Sequence, residues 1–220
     1  MTPDQTTTTV LLAGATGLVG RECLDLLLKE KTISHVTAIV RRPVPDRTDG
    51  ERLSIRTVDF ERLENHTGLF AVNQIICTLG TTIRQAGSQQ AFRRVDFDYP
   101  MNIARLGLAH GASHFLLVSA MGASTSSRVF YSRVKGELEE AVASLGYYHL
   151  TIVRPSLLLG ERSEFRFGEE VAKRFAFLLP RSYRPISARI VAAALVWAAR
   201  SDQRGTHIIE NCSLHRPAEE

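Results

Sequence analysis

The stretch "VFYSRVKGELEEA", residues 129–141, sets a tyrosine and a lysine four residues apart, Tyr131 and Lys135. In a helix this spacing brings both onto one face. There the lysine ammonium favours the ionised form of the phenol, lowering a pKa that is otherwise about 10 and too high for proton exchange near neutral pH. Any amphipathic helix can show the same spacing, so the pair means chemistry only if other elements bring partners to it. Ser119 is one candidate. It ends the apolar run "HFLLVSA" (114–120), just upstream of the helix, at the expected ligand edge of the sheet.

A second cluster lies near the start of the chain. "GATGLVG" places Gly14, Gly17 and Gly20 directly after the apolar run "TVLLAGA" and at the opening of the helical pattern "LVGRECLDLLLKE". A glycine turn at a strand-to-helix junction lets backbone approach a pyrophosphate, and the free N–H groups of the helix start attract its charge. Gly14, Thr16, Gly17, Leu18 and Val19 are therefore the expected pyrophosphate contacts. Gly20 is followed by Arg21, and no Gly-Lys-Ser/Thr appears, so this is not the phosphate loop of the nucleotide hydrolases. The second apolar run ends in "VRRP", where an acid would grip the ribose hydroxyls of NAD. Arg41 and Arg42 instead suit the 2′-phosphate of NADP, so NADP(H) is expected over NAD(H). Asp59, closing the next run, can accept a hydrogen bond from adenine. "CTLGTT" (77–82) carries Thr78, Leu79 and Gly80 to the expected second ribose. Arg154, Pro155, Ser156 and Leu157 follow the sixth strand and flank the expected nicotinamide.

These positions require a particular scaffold. Apolar strand runs at 9–15, 35–40, 53–60, 74–80, 114–120, 148–155 and 206–211 alternate with helical patterns at 18–30, 88–110, 129–141 and 187–200. Pro100 should bend the 88–110 helix or mark its true start. Strands alternating with helices imply parallel pairing and right-handed crossovers, in a sheet covered on both faces. The expected fold is α/β: a Rossmann-like doubly wound sheet, one NAD(P)-binding domain over 1–220, with ligand at the carboxyl ends of the strands. Residues 156–190 break the rhythm and are expected to form a small substrate or lid region. It holds Phe165, Phe167, Phe175 and Phe177, and a short helix carrying Val171, Phe175 and Leu178.

The whole chain resembles the short-chain dehydrogenase/reductase superfamily. The resemblance rests on the Gly14-Gly17-Gly20 turn, Ser119, Tyr131-x-x-x-Lys135 and Arg154-Pro155, in that order. Over about residues 8–200, "CTLGTTIRQAGSQQAFRRVDFDYP" and "FYSRVKGELEE" resemble its atypical, Tat-interacting-protein-like branch. The resemblance implies hydride transfer between NADPH and a carbonyl, with Tyr131 as proton donor, Lys135 holding ribose hydroxyls and Ser119 orienting the substrate oxygen. It also implies an asparagine on the fourth helix supporting a relay water, where this chain has Asp96. The first expectation is an NADP(H)-dependent oxidoreductase of a small carbonyl or alcohol. The rival readings are a non-catalytic NADP(H)-binding regulator and an NAD(P)-dependent isomerase or epimerase.

Composition narrows the partners. The chain has 220 residues, 44% of them hydrophobic, and a net charge of +4 from 27 basic and 23 acidic residues that interleave. With no basic arm and no long apolar run, neither nucleic acid nor membrane is an expected partner, while a protein partner or homodimer stays open. Cys23, Cys77 and Cys212 form no disulfide or metal pattern, and the polar N-terminus carries no secretory pattern, so a cytosolic protein is expected. The sequons at Asn65 and Asn211 then carry no meaning. His110 and His114 straddle Gly111, which ends a helix, and are read as surface or loop histidines with no metal between them.

Overall fold

Seven strands pair in parallel in the order β3-β2-β1-β4-β5-β6-β9. In this computed structural model, residues 7–44, 49–159, 180 and 183–215 are described. The sheet strands are β1 (Thr8–Ala13), β2 (Ile33–Val40), β3 (Leu53–Thr57), β4 (Gln74–Cys77), β5 (His114–Val118), β6 (His149–Arg154) and β9 (Gly205–Glu210). The two-residue strands β7 (Leu158–Leu159) and β8 (Ile186–Ser187) pair separately. The order reverses between β1 and β4, the switch point where crossovers leave toward opposite faces and open a crevice.

Strand pleating divides the core. Val10 and Leu12 of β1 face one layer, with Val19, Cys23 and Leu27 of helix α1 (Leu18–Leu27). Val191 and Leu195 of helix α6 (Ala188–Ala199) fill the same layer. Leu11 and Ala13 face the other layer, with Ile103 of α4 (Tyr99–Ala109) and Leu138 and Val142 of α5 (Phe130–Ala143). These side chains are essentially inaccessible to water. Full burial of an aliphatic side chain stabilises by about 1.5–3 kcal/mol, so two such layers hold the sheet firmly enough to fix its crest.

The expected 88–110 helix is three pieces, with a separate short helix ahead of them. Helix α2 (Ile83–Ala86), capped by Thr82, leads to α3 (Gln89–Arg93), capped by Ser88. A π-helical turn over Arg94–Asp98 follows, then α4 with Pro100 in its first turn, where a missing N–H does no harm. Two features carried no apolar periodicity: a 3₁₀ segment at Leu63–Phe70 and the short helix α7 (Asn211–Leu214). Most sheet strands also stop before their apolar runs do: β1 ends at Ala13 and β4 at Cys77, leaving the chemistry-bearing residues in the loops beyond. The expected lid falls largely on residues 160–179, which lie outside the described residues together with the four phenylalanines and Val171.

Candidate active site

At the β1–α1 junction Gly14 takes φ +90°, a left-handed conformation that L side chains rarely adopt. A Cβ on Gly20 would lie 2.0 Å from the Gly14 carbonyl oxygen, so only glycine lets the helix start pack this tightly on the turn. The Gly17 N–H donates to Gly14 O (2.9 Å), and Gly17 caps α1 without a side-chain bond. The first N–H groups of α1 thus remain available to an anion. Thr78 locks the neighbouring crest: its N–H and its hydroxyl each donate to Ala13 O, both at 2.9 Å.

Across the switch point, β5 and β6 stay paired beyond their ends. Ser119 N–H donates to Val153 O and Met121 N–H to Pro155 O, each at 2.8 Å. Ser124 N–H reaches Ser132 O at 3.0 Å and ties the following loop to α5. Phe92 of α3, fully buried, packs its ring 5.4 Å from that of Tyr131. These contacts aim one face of α5 at the crevice.

The result is a cleft of about 600 Å³. Gly17, Leu18 and Val19 line one side, Thr78 to Thr82 and Asp96 the floor, and Val118 to Met121, Tyr131, Lys135 and Pro155 to Leu159 the other. Ser119 is 4% exposed, and its Oγ has no hydrogen-bond partner among the described residues. A buried hydroxyl without a partner is costly unless a ligand supplies one. The glycine cradle, the open helix start and this hydroxyl together fit a pyridine nucleotide with a polar substrate beside it.

At the base of the cleft Lys135 Nζ lies 2.7 Å from Asp96 Oδ1, the side chains 4% and 1% exposed. Thr81 N–H donates to the other carboxylate oxygen at 2.9 Å. Burial opposes the ammonium, but Asp96 and Tyr131 hold the Lys135 pKa above the usual lysine value. Burial raises the Asp96 pKa against the pull of Lys135 and Thr81. The Tyr131 phenol is also raised, by burial first, with Lys135 lowering it and Asp96 opposing Lys135. The expected lowering by Lys135 is therefore outweighed, by burial first and in smaller part by Asp96.

The family model described as NAD(P)H-binding matches residues 14–201. Protein HTATIP2 of Rattus norvegicus is 39% identical over 176 residues, 79% of this chain and 72% of that protein. The chain belongs to the NAD(P)H-binding short-chain dehydrogenase/reductases, in their Tat-interacting-protein-like branch. A fungal relative, protein fmp52, mitochondrial, of Emericella nidulans, is 31% identical over 201 residues, covering 89% of this chain and 83% of its own. Among solved structures, the Bordetella bronchiseptica enzyme WbmH in complex with NAD+ superposes with TM-score 0.73 at 12% identity, over 93% of this chain and 76% of its own. A short chain dehydrogenase from Burkholderia cenocepacia J2315 in complex with NADP gives 0.67 at 17%, covering 94% and 89%. At such identities these two speak for the fold alone.

Within this short-chain dehydrogenase/reductase, the cleft gathers Gly17, Leu18, Val19, Thr78, Leu79, Gly80, Ser119, Tyr131, Lys135, Pro155, Ser156 and Leu157 from the expected set. Gly14 belongs to the turn itself but does not line the cleft. Thr16 lines a separate hollow of about 260 Å³ with Arg21, Val40 and Ile55. Arg41 and Arg42 stand exposed just past β2, paired with no carboxylate among the described residues. Asp59 is exposed, its Oδ1 accepting the Glu61 N–H at 3.0 Å. Arg154 does not line the cleft: its guanidinium is held by Glu139 and Glu210. His110 Nδ1 sits 2.8 Å from Leu106 O, whereas His114, read as a surface or loop residue, is buried on β5 beside Thr151. Thr81, Met121, Leu158 and Leu159 line the cleft without having been singled out, although "TT" and "AM" directly follow strand ends, the usual place for ligand contacts.

Proposed function

We propose that this chain is an NADP(H)-dependent oxidoreductase that interconverts a small carbonyl compound and its alcohol. The convergence of Ser119, Tyr131 and Lys135 on one side of a cleft whose other side is the glycine turn carries the reading. Gly17, Leu18 and Val19 would hold the pyrophosphate, Arg41 and Arg42 the 2′-phosphate, and Lys135 the nicotinamide-side ribose hydroxyls. An ammonium has three donors, and Asp96 engages one side of this one, leaving capacity for the ribose. NADPH, when bound, supplies hydride to the substrate carbon. Ser119 Oγ donates to the carbonyl oxygen, holding it where the Tyr131 hydroxyl delivers the proton.

The test is NADPH consumption against a panel of aldehydes and ketones. Steady oxidation of NADPH with matching alcohol formation supports the reading. Tight NADPH binding with no turnover on any member would overturn it in favour of a regulatory role, and rearranged product without net cofactor change in favour of an isomerase. A cytosolic location belongs to the same proposal, although the fungal relative is named a mitochondrial protein. Recovery of the native protein in the mitochondrial fraction would reject that part.

A further inference from the structure

The lysine in this cleft is not a free cation. We propose that Asp96 is a positioning residue that fixes the Lys135 ammonium and offsets its charge, so that Tyr131 stays in its protonated form and serves as a proton donor. The proton's destination rests on the oxidoreductase reading; the electrostatic part does not.

The geometry sets up this offset. The two charged atoms are 2.7 Å apart in a site almost closed to water, where neither is screened by solvent. Two features hold Asp96 in place. The π-helical turn of residues 94–98 contains Asp96 and buries its side chain completely. The Thr81 N–H holds one carboxylate oxygen. At the phenol, an ammonium alone acts as a full charge. With a carboxylate at contact distance it acts as a short dipole, whose field falls off much faster.

The ionisable groups that act on this trio come from three elements. Lys135 and Tyr131 come from α5 and Asp96 from the π-helical turn. Cys77, from β4, is fully buried with its thiol pushed up to about 11, so it is neutral and contributes no charge near pH 7. Among the described residues lining the cleft there is no further Asp, Glu, Lys, Arg or His. Burial raises Tyr131, and the opposed effects of Lys135 and Asp96 leave it raised.

The chemistry balances in the proposed direction. A bound NADPH would supply hydride to the carbonyl carbon and be left as NADP+; the C=O π bond would break and the oxygen would take the Tyr131 proton. The phenolate left behind recovers a proton from water. Alcohol oxidation needs the phenolate first, a form that the Asp96 carboxylate disfavours.

The experiment is a spectrophotometric titration of tyrosinate absorbance in the protein free of nucleotide and substrate. Subtracting the curve of Tyr131→Phe isolates Tyr131 from the other tyrosines. The expected midpoint in the parent protein lies above the ordinary value of about 10. In Asp96→Asn, which frees the ammonium, the midpoint falls by roughly one pH unit or more. An unchanged or higher midpoint in Asp96→Asn, or a parent midpoint below about 10, overturns the proposal. Asp96→Ser takes the place of a variant that fails to fold, and the parent midpoint needs neither. With an active substrate in hand, the alkaline limb of NADPH consumption should move down by the same shift in Asp96→Asn. Because the titration uses no cofactor, a carbonyl panel without turnover would defeat the oxidoreductase reading and leave this result standing.

Discussion

Helix α5 carries two ionic clusters one turn apart, and they differ in what surrounds them. Lys135 meets Asp96 at the base of an open cleft, where the pair has one further backbone donor, Thr81 N–H. Glu139, four residues on, is used up. Arg154 Nε donates to both its oxygens at 3.1 and 3.2 Å, Nη2 adds a bond of 2.5 Å, and Nη1 reaches Glu210 at 2.8 Å. The Arg154 pKa is raised by these bonds, first of all those to Glu139. Burial of charge therefore does not by itself mark the candidate site in this protein. Unspent hydrogen-bonding capacity facing a cavity does, and it occurs on the Lys135 side alone of these two clusters. The Arg154 cluster ties α5 to β6 and β9, and so fixes the helix whose other end presents Tyr131.

The largest effect tests the open cluster. Tyr131→Phe removes one hydroxyl from a ring still packed on Phe92, so stability and NADPH binding should change little. Turnover, measured on whichever carbonyl proves a substrate, should fall by about a thousandfold, the scale of a lost general acid. Equal turnover in parent and variant would erase the functional difference between the two clusters. Next in size is Glu139→Ala, which leaves Arg154 only the half-exposed Glu210. Breaking one side of a buried pair destabilises by about 3–5 kcal/mol, or roughly 10 °C in Tm for a chain of this size. Calorimetry should show that loss while the Tyr131 titration midpoint stays put. A shifted midpoint with unchanged Tm would mean that the clusters are assigned the wrong way round.

The difference between the clusters was only half legible in the sequence. The crest was legible because its signals are local: an apolar run, then glycines, then a helical pattern, repeated along the chain with parallel pairing as the outcome. Tyr131, Lys135 and Ser119 followed from one strand end and one helix. Arg154 was misplaced because its neighbour Pro155 does line the cleft, while its own direction is set by Glu139 and Glu210, 15 and 56 residues away. Asp96 stood out as a departure from an asparagine, but its contact with Lys135 depends on a π-helical turn that no hydrophobic periodicity announces. The Tyr131 phenol is raised by burial first, with Asp96 offsetting part of the lowering by Lys135, and residue spacing reports neither effect, which is why the sequence pointed the other way.

A buried ionisable group with no opposing charge sharpens the contrast at the opposite end of the strands. His114 lies at the start of β5, 3% exposed, with Nε2 2.9 Å from Thr151 Oγ1 and its ring centroid 5.3 Å from that of His149. Burial, with smaller contributions from His149 and His207, pushes its pKa down to about 4 from 6.5. The folded-state value is depressed, so the unfolded chain takes up the proton first. The stability associated with neutral His114 is complete above about pH 6.5 and is lost as pH falls from there toward 4. The loss is at most about 3 kcal/mol. Denaturant midpoints followed between those limits should fall less steeply in His114→Gln than in the parent. Identical pH dependence would show that this imidazole is not held neutral by the fold.

The smallest expected effect concerns cations that neither cluster neutralises. Arg41 and Arg42 follow β2 at the crest, exposed and without a carboxylate partner among the described residues, so their charge is available in full. An exposed guanidinium contacting a phosphate gains a charge-assisted bond, but solvent and salt screen it. Replacing either arginine by alanine should weaken NADPH binding by about tenfold, or about 1.4 kcal/mol, and leave NADH binding nearly unchanged. Nicotinamide fluorescence reads both affinities, and the NADPH loss should shrink as ionic strength rises, because the contact is exposed. The paired Lys135, buried beside Asp96, should show no comparable salt dependence. If the parent prefers NADH, or if both variants lose NADPH and NADH equally, the arginines do not read the 2′-phosphate. Their freedom from carboxylates would then be that of ordinary surface residues.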